Sequence, residues 1–200
     1  MLRQTGTLLA SFGGVFMDVA IGLRSPRRIE FKLFTRKCPE ATENFTKLCT
    51  GGNVLPRVPS TSGLGDPSFA DQFLPQLTYK NSIFHRVVKG YLIQGGDVTS
   101  GRGTGQLSIY GETFVAPDEV VASVFDRRGL VGTANSAPHL NGSQFFILTA
   151  NGASHLNGTC ICFACIANGY DVVEAIEQLQ LEPSGFPSER VAIVDCGVLK

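Results

Sequence analysis

Apolar and polar residues alternate along the first regular part of the chain. In residues 15–21 (VFMDVAI) and 27–34 (RRIEFKLF) every second side chain is apolar, which is the period of a half-buried β-strand. The stretch from Gly22 to Pro26 lies between them and contains turn-forming residues. The pattern therefore predicts an antiparallel β-hairpin.

Two later segments have the period of an amphipathic helix. In the first, Pro39 suits the first helical position and Gly51 is placed to end the helix. Its apolar side chains share one face, which consists of Ala41, Phe45, Leu48 and Cys49. The second segment, residues 170–180, has another apolar face, and its Asp171 and Glu174 form a capping-box-like pair.

Further short apolar segments are separated by glycine-rich turns and predict strands. They are residues 83–88, 91–94, 96–99, 129–133, 144–149 and 161–167, followed by a last strand over 190–200. Many antiparallel strands with two separated helices are typical of a mainly β fold, here a closed barrel plugged by the helices at its ends. Residues 52–78 contain proline, glycine and serine throughout and predict a long surface loop, which in a compact domain is more often functional or regulatory than filler.

Charge and hydropathy exclude several classes of function. The chain carries 17 basic and 17 acidic residues, which argues against nucleic acid or an anionic membrane surface as a partner. No apolar run approaches the roughly 18 residues of a membrane span. Residues 1–14 contain one arginine and no acid, which predicts a disordered leader or a short presequence. We expect one domain over residues 15–200, in the cytoplasm, or in mitochondria if residues 1–14 are a presequence.

The six cysteines raise the alternative of a metal site, because Cys160, Cys162 and Cys165 are closely spaced. However, the chain has three histidines, and no second cysteine pair has zinc-finger spacing. Cysteines within an apolar strand are usually small core residues. We therefore expect no metal and no cofactor, and a reducing compartment.

Two short motifs have a chemical alternative. Residues 101–105 (GRGTG) could be a phosphate-binding loop, but the helix and the distant acid of a dinucleotide fingerprint are missing, so we interpret them as a tight turn. Ser143 could be a nucleophile, yet its flanks lack the G-x-S-x-G elbow. The possible partners His85, His139 and His155 lie on unlike segments, which disfavours a serine–histidine–acid triad.

Three segments interleave apolar residues with side-chain amides: residues 84–97 (FHRVVKGYLIQGGD), 132–150 (GTANSAPHLNGSQFFILTA) and 154–164 (SHLNGTCICFA). On a strand, Arg86 faces opposite to His85 and Val87, so one of these sets lines a site while the other packs. The segments carry more polar amides than a core needs, which indicates a binding site.

With the further motifs PEATENF, GTGQLSIYGETF and a terminal DCG, nearly the whole chain resembles a cyclophilin, a family of peptidyl-prolyl cis–trans isomerases. The resemblance implies an eight-stranded antiparallel β-barrel capped by two α-helices, in agreement with the hydrophobic pattern. It implies an enzyme that accelerates X–Pro bond rotation and assists protein folding without a cofactor. The alternative is a proline-peptide binding module of low activity in a larger assembly.

The resemblance also implies roles for individual residues. The catalytic residues are Arg86, Gln94 and Phe146. The substrate-binding residues are Tyr91, Leu92, Gly103, Thr104, Ala134, Asn135, Gln144, His155, Leu156 and Cys160. Proline-containing peptides and proteins are the expected partners, with no nucleic acid and no membrane, and we expect a monomer.

Four of these positions depart from the family pattern. Tyr91 stands where phenylalanine is usual, and Leu92 where methionine is commoner. His155 stands where some members have tryptophan and others histidine, and Cys160 where histidine is usual. The departures imply isomerase activity that is retained but reduced, and cyclosporin A binding that is weaker than in the tryptophan-bearing members.

The predicted loop over residues 52–78 lies where a divergent-loop subgroup of cyclophilins carries extra residues, although it is longer here. In that subgroup a cysteine at the end of the first helix can pair with one near the C-terminus. Cys49 and Cys196 match those places. The resemblance therefore implies a reversible disulfide that modulates activity, and two buried free thiols remain the alternative.

Overall fold

The structure, a computed structural model, describes residues 13–52, 77–111, 113–135 and 140–200. The predicted leader over residues 1–14 and the predicted loop over 52–78 therefore lie almost wholly outside the described residues. So does His139, one of the alternative triad residues.

Eight β-strands form one antiparallel sheet in the order β3-β4-β6-β5-β7-β2-β1-β8. They are β1 (Val15–Ile21), β2 (Arg27–Leu33), β3 (Phe84–Val88), β4 (Leu92–Gly95), β5 (Leu130–Thr133), β6 (Phe145–Leu148), β7 (Cys162–Asn168) and β8 (Val191–Val198). The two outer strands meet just before β3, where Ile83 pairs with Ala192 and the Ile193 amide donates to the Ser82 carbonyl at 3.0 Å. The sheet is thus a nearly closed barrel, which confirms the predicted fold.

Both predicted helices are present. Helix α1 (Pro39–Thr50) begins at the expected proline and ends at Gly51, whose φ of 77° is a conformation that glycine adopts without strain. Helix α3 (Tyr170–Glu177) is the second predicted helix. The structure adds a short helix α2 (Pro117–Val121) and a 3₁₀ turn (Ser154–Leu156), neither of which the sequence pattern predicted.

The buried face of α1 fills the barrel. The Phe45 ring lies 5.5 Å from Phe31, 5.3 Å from Phe145 and 4.9 Å from Phe163, between ring centroids. Each of these rings is at most 2% exposed. Such aromatic pairs add to the stabilisation that comes from burying apolar area. The predicted apolar face of this helix is therefore confirmed.

The prediction of a strand over residues 96–99 is wrong. Strand β4 ends at Gly95, and Gly96 has a φ of 80°, so the chain turns away from the sheet. Beyond the turn, the Asp97 carboxylate accepts hydrogen bonds from the backbone amides of Thr99 and Ser100. These amides are therefore engaged by a side chain rather than by a neighbouring strand.

The predicted capping box of α3 is also wrong. The residue before the helix is Gly169, with a φ of 81° and no side-chain cap. Asp171 instead forms an ion pair with Arg27, and Glu174 lies 3.7 Å from Arg128. The two acids that the sequence pattern assigned to the helix cap thus form ion pairs with arginines on strand β2 and in the segment before β5.

None of the helices in the described part of the chain is both long enough and apolar enough to cross a membrane.

Candidate functional site

The three predicted catalytic side chains lie in one row across neighbouring strands. Arg86 on β3 is opposite Gln94 on β4, and Gln94 is opposite Phe146 on β6. The row ends at Gly132 on β5, opposite Phe146. Because adjacent strands are about 4.8 Å apart, this register places the backbones of Arg86 and Phe146 within about 10 Å of each other.

Arg86 points outward, while His85 and Val87 are buried on the other face. The strand pattern predicted the two opposite faces, and the structure shows which of them is exposed. Its Nη1 donates a hydrogen bond to Gln94 Oε1 at 3.2 Å. A guanidinium has five N–H groups, so this bond orients the side chain and leaves other donors for a ligand.

The hydrogen bond that holds Arg86 is the first of a series that runs into the protein interior through side-chain amides. Gln94 Nε2 donates to Gln144 Oε1 at 2.9 Å, and Gln144 Nε2 donates to the Gly105 carbonyl at 2.7 Å. Gln144 is 3% exposed, so the last side-chain amide of this hydrogen-bond series lies in the protein interior. The position of the guanidinium therefore depends on the loop that contains Gly105.

The apolar wall beside the row belongs to a cluster that is separate from the barrel core. Several predicted pocket residues take part in it, namely Tyr91, Leu92, Ala134, Phe146, Leu156 and Cys160. The Phe146 ring packs on Phe125, with the centroids 5.5 Å apart. An aromatic and aliphatic surface of this kind suits the ring of a proline.

Gly132 explains how the Phe146 ring lies so close to the sheet. A Cβ at this position would lie 2.4 Å from Phe146 Cζ and 2.8 Å from Phe125 Cε1. Neither Gly132 nor Phe125 was predicted from the sequence to have a role in the site. A glycine inside a strand often marks a position where another group approaches the backbone closely. The sequence therefore contained a signal for the role of Gly132.

The rim of the wall is polar at two of the divergent positions. The Tyr91 hydroxyl lies 2.6 Å from His155 Nε2, and the two ring centroids are 5.6 Å apart. Burial raises the pKa of the Tyr91 phenol, so this group stays protonated at neutral pH. Tyr91, which stands where phenylalanine is usual, and His155 thus form a hydrogen-bonded unit.

Asn135 and Cys160 lie together at another edge of the site. Asn135 Nδ2 donates to the Thr159 carbonyl at 2.8 Å, and Cys160 Sγ lies 3.5 Å from Asn135 Oδ1. Burial raises the pKa of the Cys160 thiol, which is therefore protonated at neutral pH. The side chain offers a weak donor rather than a nucleophile.

The loop of Gly103 and Thr104 is organised by Asp97, which the sequence analysis did not single out. Asp97 Oδ2 accepts from the amides of Gly103, Thr104 and Gly105 at 2.9, 3.1 and 3.1 Å. Burial of this carboxylate opposes ionisation, but hydrogen bonds from Ser100 and the loop amides outweigh it and hold the Asp97 pKa well below its usual range. An acid followed by a run of glycine, serine and threonine was the available signal.

The hydrolase alternative has no support in the described residues. Ser143 Oγ is buried there without a hydrogen-bond partner, and no hydrogen bond joins it to a histidine. His85 is 3% exposed, and its burial lowers its pKa, so it is a neutral packed ring. No group of three or more metal-ligating side chains occurs among the described residues.

All six cysteines are free thiols, and Cys49 contacts Cys196. Burial raises the Cys49 pKa, whereas the hydrogen bond from Cys49 lowers that of Cys196. A cavity of about 270 Å³ is lined by both residues and by Lys80. Contact between the thiols and access for an oxidant are two of the conditions for a reversible disulfide, the other being the backbone geometry of the pair.

The barrel and this row of residues define a class of protein. A sequence model of the family described as cyclophilin-type peptidyl-prolyl cis-trans isomerase/CLD matches residues 16–198. The chain belongs to this family, which confirms the resemblance seen in the motifs. Members of the family generally bind proline-containing peptides.

Relatives of the chain include the NK-tumor recognition proteins of Mus musculus and Homo sapiens. Each is 41% identical to this chain over 182 residues. The matched region covers 91% of this chain but 11% of either relative. The chain thus spans about a ninth of the length of these relatives.

Proposed function

We propose that this chain is a peptidyl-prolyl cis–trans isomerase that accelerates rotation about X–Pro bonds in proteins and so assists their folding. The observation that carries the proposal is the exposed Arg86 guanidinium, held by Gln94 in one cross-strand row with Phe146. This arrangement supplies an oriented cation beside an apolar wall.

The chemistry of the reaction fits such a site. Rotation about an amide bond has a barrier of about 18–20 kcal/mol because it breaks resonance, while the cis and trans forms of X–Pro differ by about 0.5–1 kcal/mol. No bond is cleaved, so neither a nucleophile nor a cofactor takes part. In the twisted state the nitrogen is pyramidal and has a localised lone pair. An Arg86 N–H donor aimed at that lone pair stabilises the twisted state more than either planar state.

The remaining residues supply binding and preorganisation. Phe146, Leu92 and Leu156 hold the proline ring and exclude water, which strengthens the hydrogen bond from Arg86. The backbone around Asn135 binds a neighbouring peptide group, so that one side of the bond is fixed while the other rotates. Gln144, whose side-chain amide is engaged by Gln94 and by the Gly105 carbonyl, supports the substrate site from the interior. Gln94 keeps the guanidinium in place, so the cation does not have to be ordered in the transition state.

The test is the exchange rate of a short X–Pro peptide measured by NMR. The Arg86→Ala variant is expected to lose about 100-fold in catalysed rate, the scale of a lost transition-state donor, while it mostly keeps peptide affinity. Arg28→Ala is the matched control, because Arg28 is an exposed arginine that pairs with Asp18 on β1. A wild-type chain without catalysed exchange, or an Arg86→Ala chain with the full rate, would contradict the proposal.

A second candidate function is a proline-peptide binding module with little turnover. The Tyr91–His155 unit and the Cys160 thiol favour it, because they place polar groups where the family pattern is apolar or has a stronger donor. In this case the wild-type chain binds peptide but gives no rate that depends on Arg86.

The same substitutions bear on cyclosporin A. We propose that it binds more weakly than to tryptophan-bearing cyclophilins, because His155 lacks the indole N–H and has less apolar area. Inhibition assays on the wild type and on His155→Trp test this, and the variant is expected to bind more tightly. Equal inhibition of both chains would count against it.

A further inference from the structure

A second groove lies beside the candidate site and has no role in the proposed reaction. Its volume is about 510 Å³. The lining includes Lys80, Ile83, Arg102, Phe186 and Arg190. The full lining of thirteen residues contains three cationic side chains and one acid, Asp97, although the chain as a whole has a formal net charge of zero.

The groove adjoins the strand that carries Arg86. Ile83 immediately precedes β3 and is three residues from Arg86, a distance of about 10 Å along an extended chain. The far wall is attached to the same strand, since the Val87 amide donates to the Gly185 carbonyl at 2.9 Å and the Phe186 ring lies 6.3 Å from His85. A peptide whose proline lies at Arg86 can therefore reach the groove with residues about three positions away.

Within the described residues, the positive charge of the groove is only partly compensated. Arg102 and Arg190 are exposed, and neither guanidinium has an ion-pair or hydrogen-bond partner among the described residues. Lys80 is paired with Asp195 at 3.0 Å. The lining also contains Asp97, but this carboxylate is 2% exposed and is bound by the amides of its own loop. Two guanidinium groups thus line the groove, and no carboxylate in the described part of the chain pairs with them.

We propose that this groove binds acidic side chains of the client polypeptide, about three residues from the prolyl bond. The proposal rests on the proposed function and adds a preference for substrate sequence. Planar guanidinium groups match carboxylates in geometry and charge. The groove is remote from the rotating bond, so its contacts stabilise the ground and transition states equally. They therefore lower KM and leave kcat unchanged.

The experiment compares peptides that share one X–Pro core and carry either an Asp-Glu or an Asn-Gln pair three residues away, on either side. Exposed ion pairs are weak, so the acidic pair is expected to lower KM about 3- to 10-fold for the wild type, and less at high salt. The Arg102→Ala/Arg190→Ala variant is expected to lose this difference and to process the unextended core peptide like the wild type. The matched control is Arg127→Ala/Arg128→Ala, two arginines that already have acidic partners.

The outcomes separate this proposal from the proposed function. Equal KM values for acidic and neutral extensions overturn the groove proposal, while turnover of the core peptide still supports the isomerase. If the core peptide is not turned over, the groove is tested by NMR titration with the acidic peptide. Amide shifts at residues 80–83 and 99–102 that disappear in the double arginine variant support an acidic-peptide site, and their absence overturns it.

Discussion

The buried carboxylate of Asp97 gives the sharpest test of how the site is built. Asp97→Asn keeps the shape of the side chain but replaces one acceptor oxygen with an NH₂ donor. Oδ2 accepts from three backbone amides and Oδ1 from two. Whichever way the new amide is turned, at least two backbone N–H groups therefore lose their acceptor and face another donor.

The expected loss of stability follows from these contacts. A hydrogen bond to a charged acceptor contributes about 1.5–3 kcal/mol, and neighbouring contributions are not additive, so we expect the free energy of unfolding to fall by about 3 kcal/mol. For a chain of this size that corresponds to a Tm about 6–12 °C lower. The control is Asp126→Asn, an exposed acid paired with Arg127, whose loss is expected to cost under about 1 kcal/mol.

The same substitution is expected to change the pH dependence of stability. Because folding depresses the Asp97 pKa, its contribution is fully present above the unfolded value of about 3.9 and is lost as the pH falls towards the folded value. Wild-type stability should therefore decrease below about pH 4 by an amount that Asp97→Asn lacks. Urea denaturation at several pH values measures both quantities.

The isomerase rate of Asp97→Asn shows whether the hydrogen bonds that connect Gly105 to Arg86 contribute to catalysis. Displacing the Gly105 carbonyl removes the partner of Gln144, and through Gln94 it loosens the guanidinium. We expect the isomerase rate of folded Asp97→Asn to fall about 10-fold, because catalysis is sensitive to small misplacements. Unchanged stability refutes the reasoning about Asp97. Lower stability with a full rate refutes the link to Arg86.

Three further predictions concern other parts of the site. Gly132→Ala places a Cβ 2.4 Å from Phe146 Cζ, so the ring must move, which should lower the free energy of unfolding in urea by about 1–3 kcal/mol and raise KM for the peptide. An unchanged KM would exclude this ring from peptide binding. Peroxide should oxidise Cys49 and Cys196 to a disulfide, itself being reduced to water, and lower the rate until a thiol reductant is added, whereas a rate that falls equally in Cys196→Ser rules this pair out. Tyr91→Phe removes a hydroxyl that an apolar ligand would have to desolvate, so cyclosporin should bind about 3-fold more tightly, and weaker binding would contradict this role.

Much of the fold follows from local patterns. The alternation in β1 and β2 and the apolar face of α1 are visible in the sequence because each side chain's burial is set by the period of its own element. The misplaced strand over residues 96–99 and the misplaced cap of α3 have one cause. In both places an acidic side chain forms a contact that the hydrophobic pattern does not report. Asp97 bonds the amides that directly follow it, and Asp171 pairs with Arg27, which is remote in sequence.

For the site, the sequence by itself determined which residues match a cyclophilin and that Arg86 lies on the strand face opposite to His85 and Val87. The tertiary structure decided the rest. Strand register places the residues from Arg86 to Gly132 in one row across the sheet. The buried Asp97 carboxylate holds the loop whose Gly105 carbonyl accepts the last hydrogen bond from the side-chain amides. The contacts of Gln94 with Gln144 and with Phe146 join residues about 50 positions apart. Such pairing across strands is set by the closure of the whole barrel rather than by the preference of any one segment.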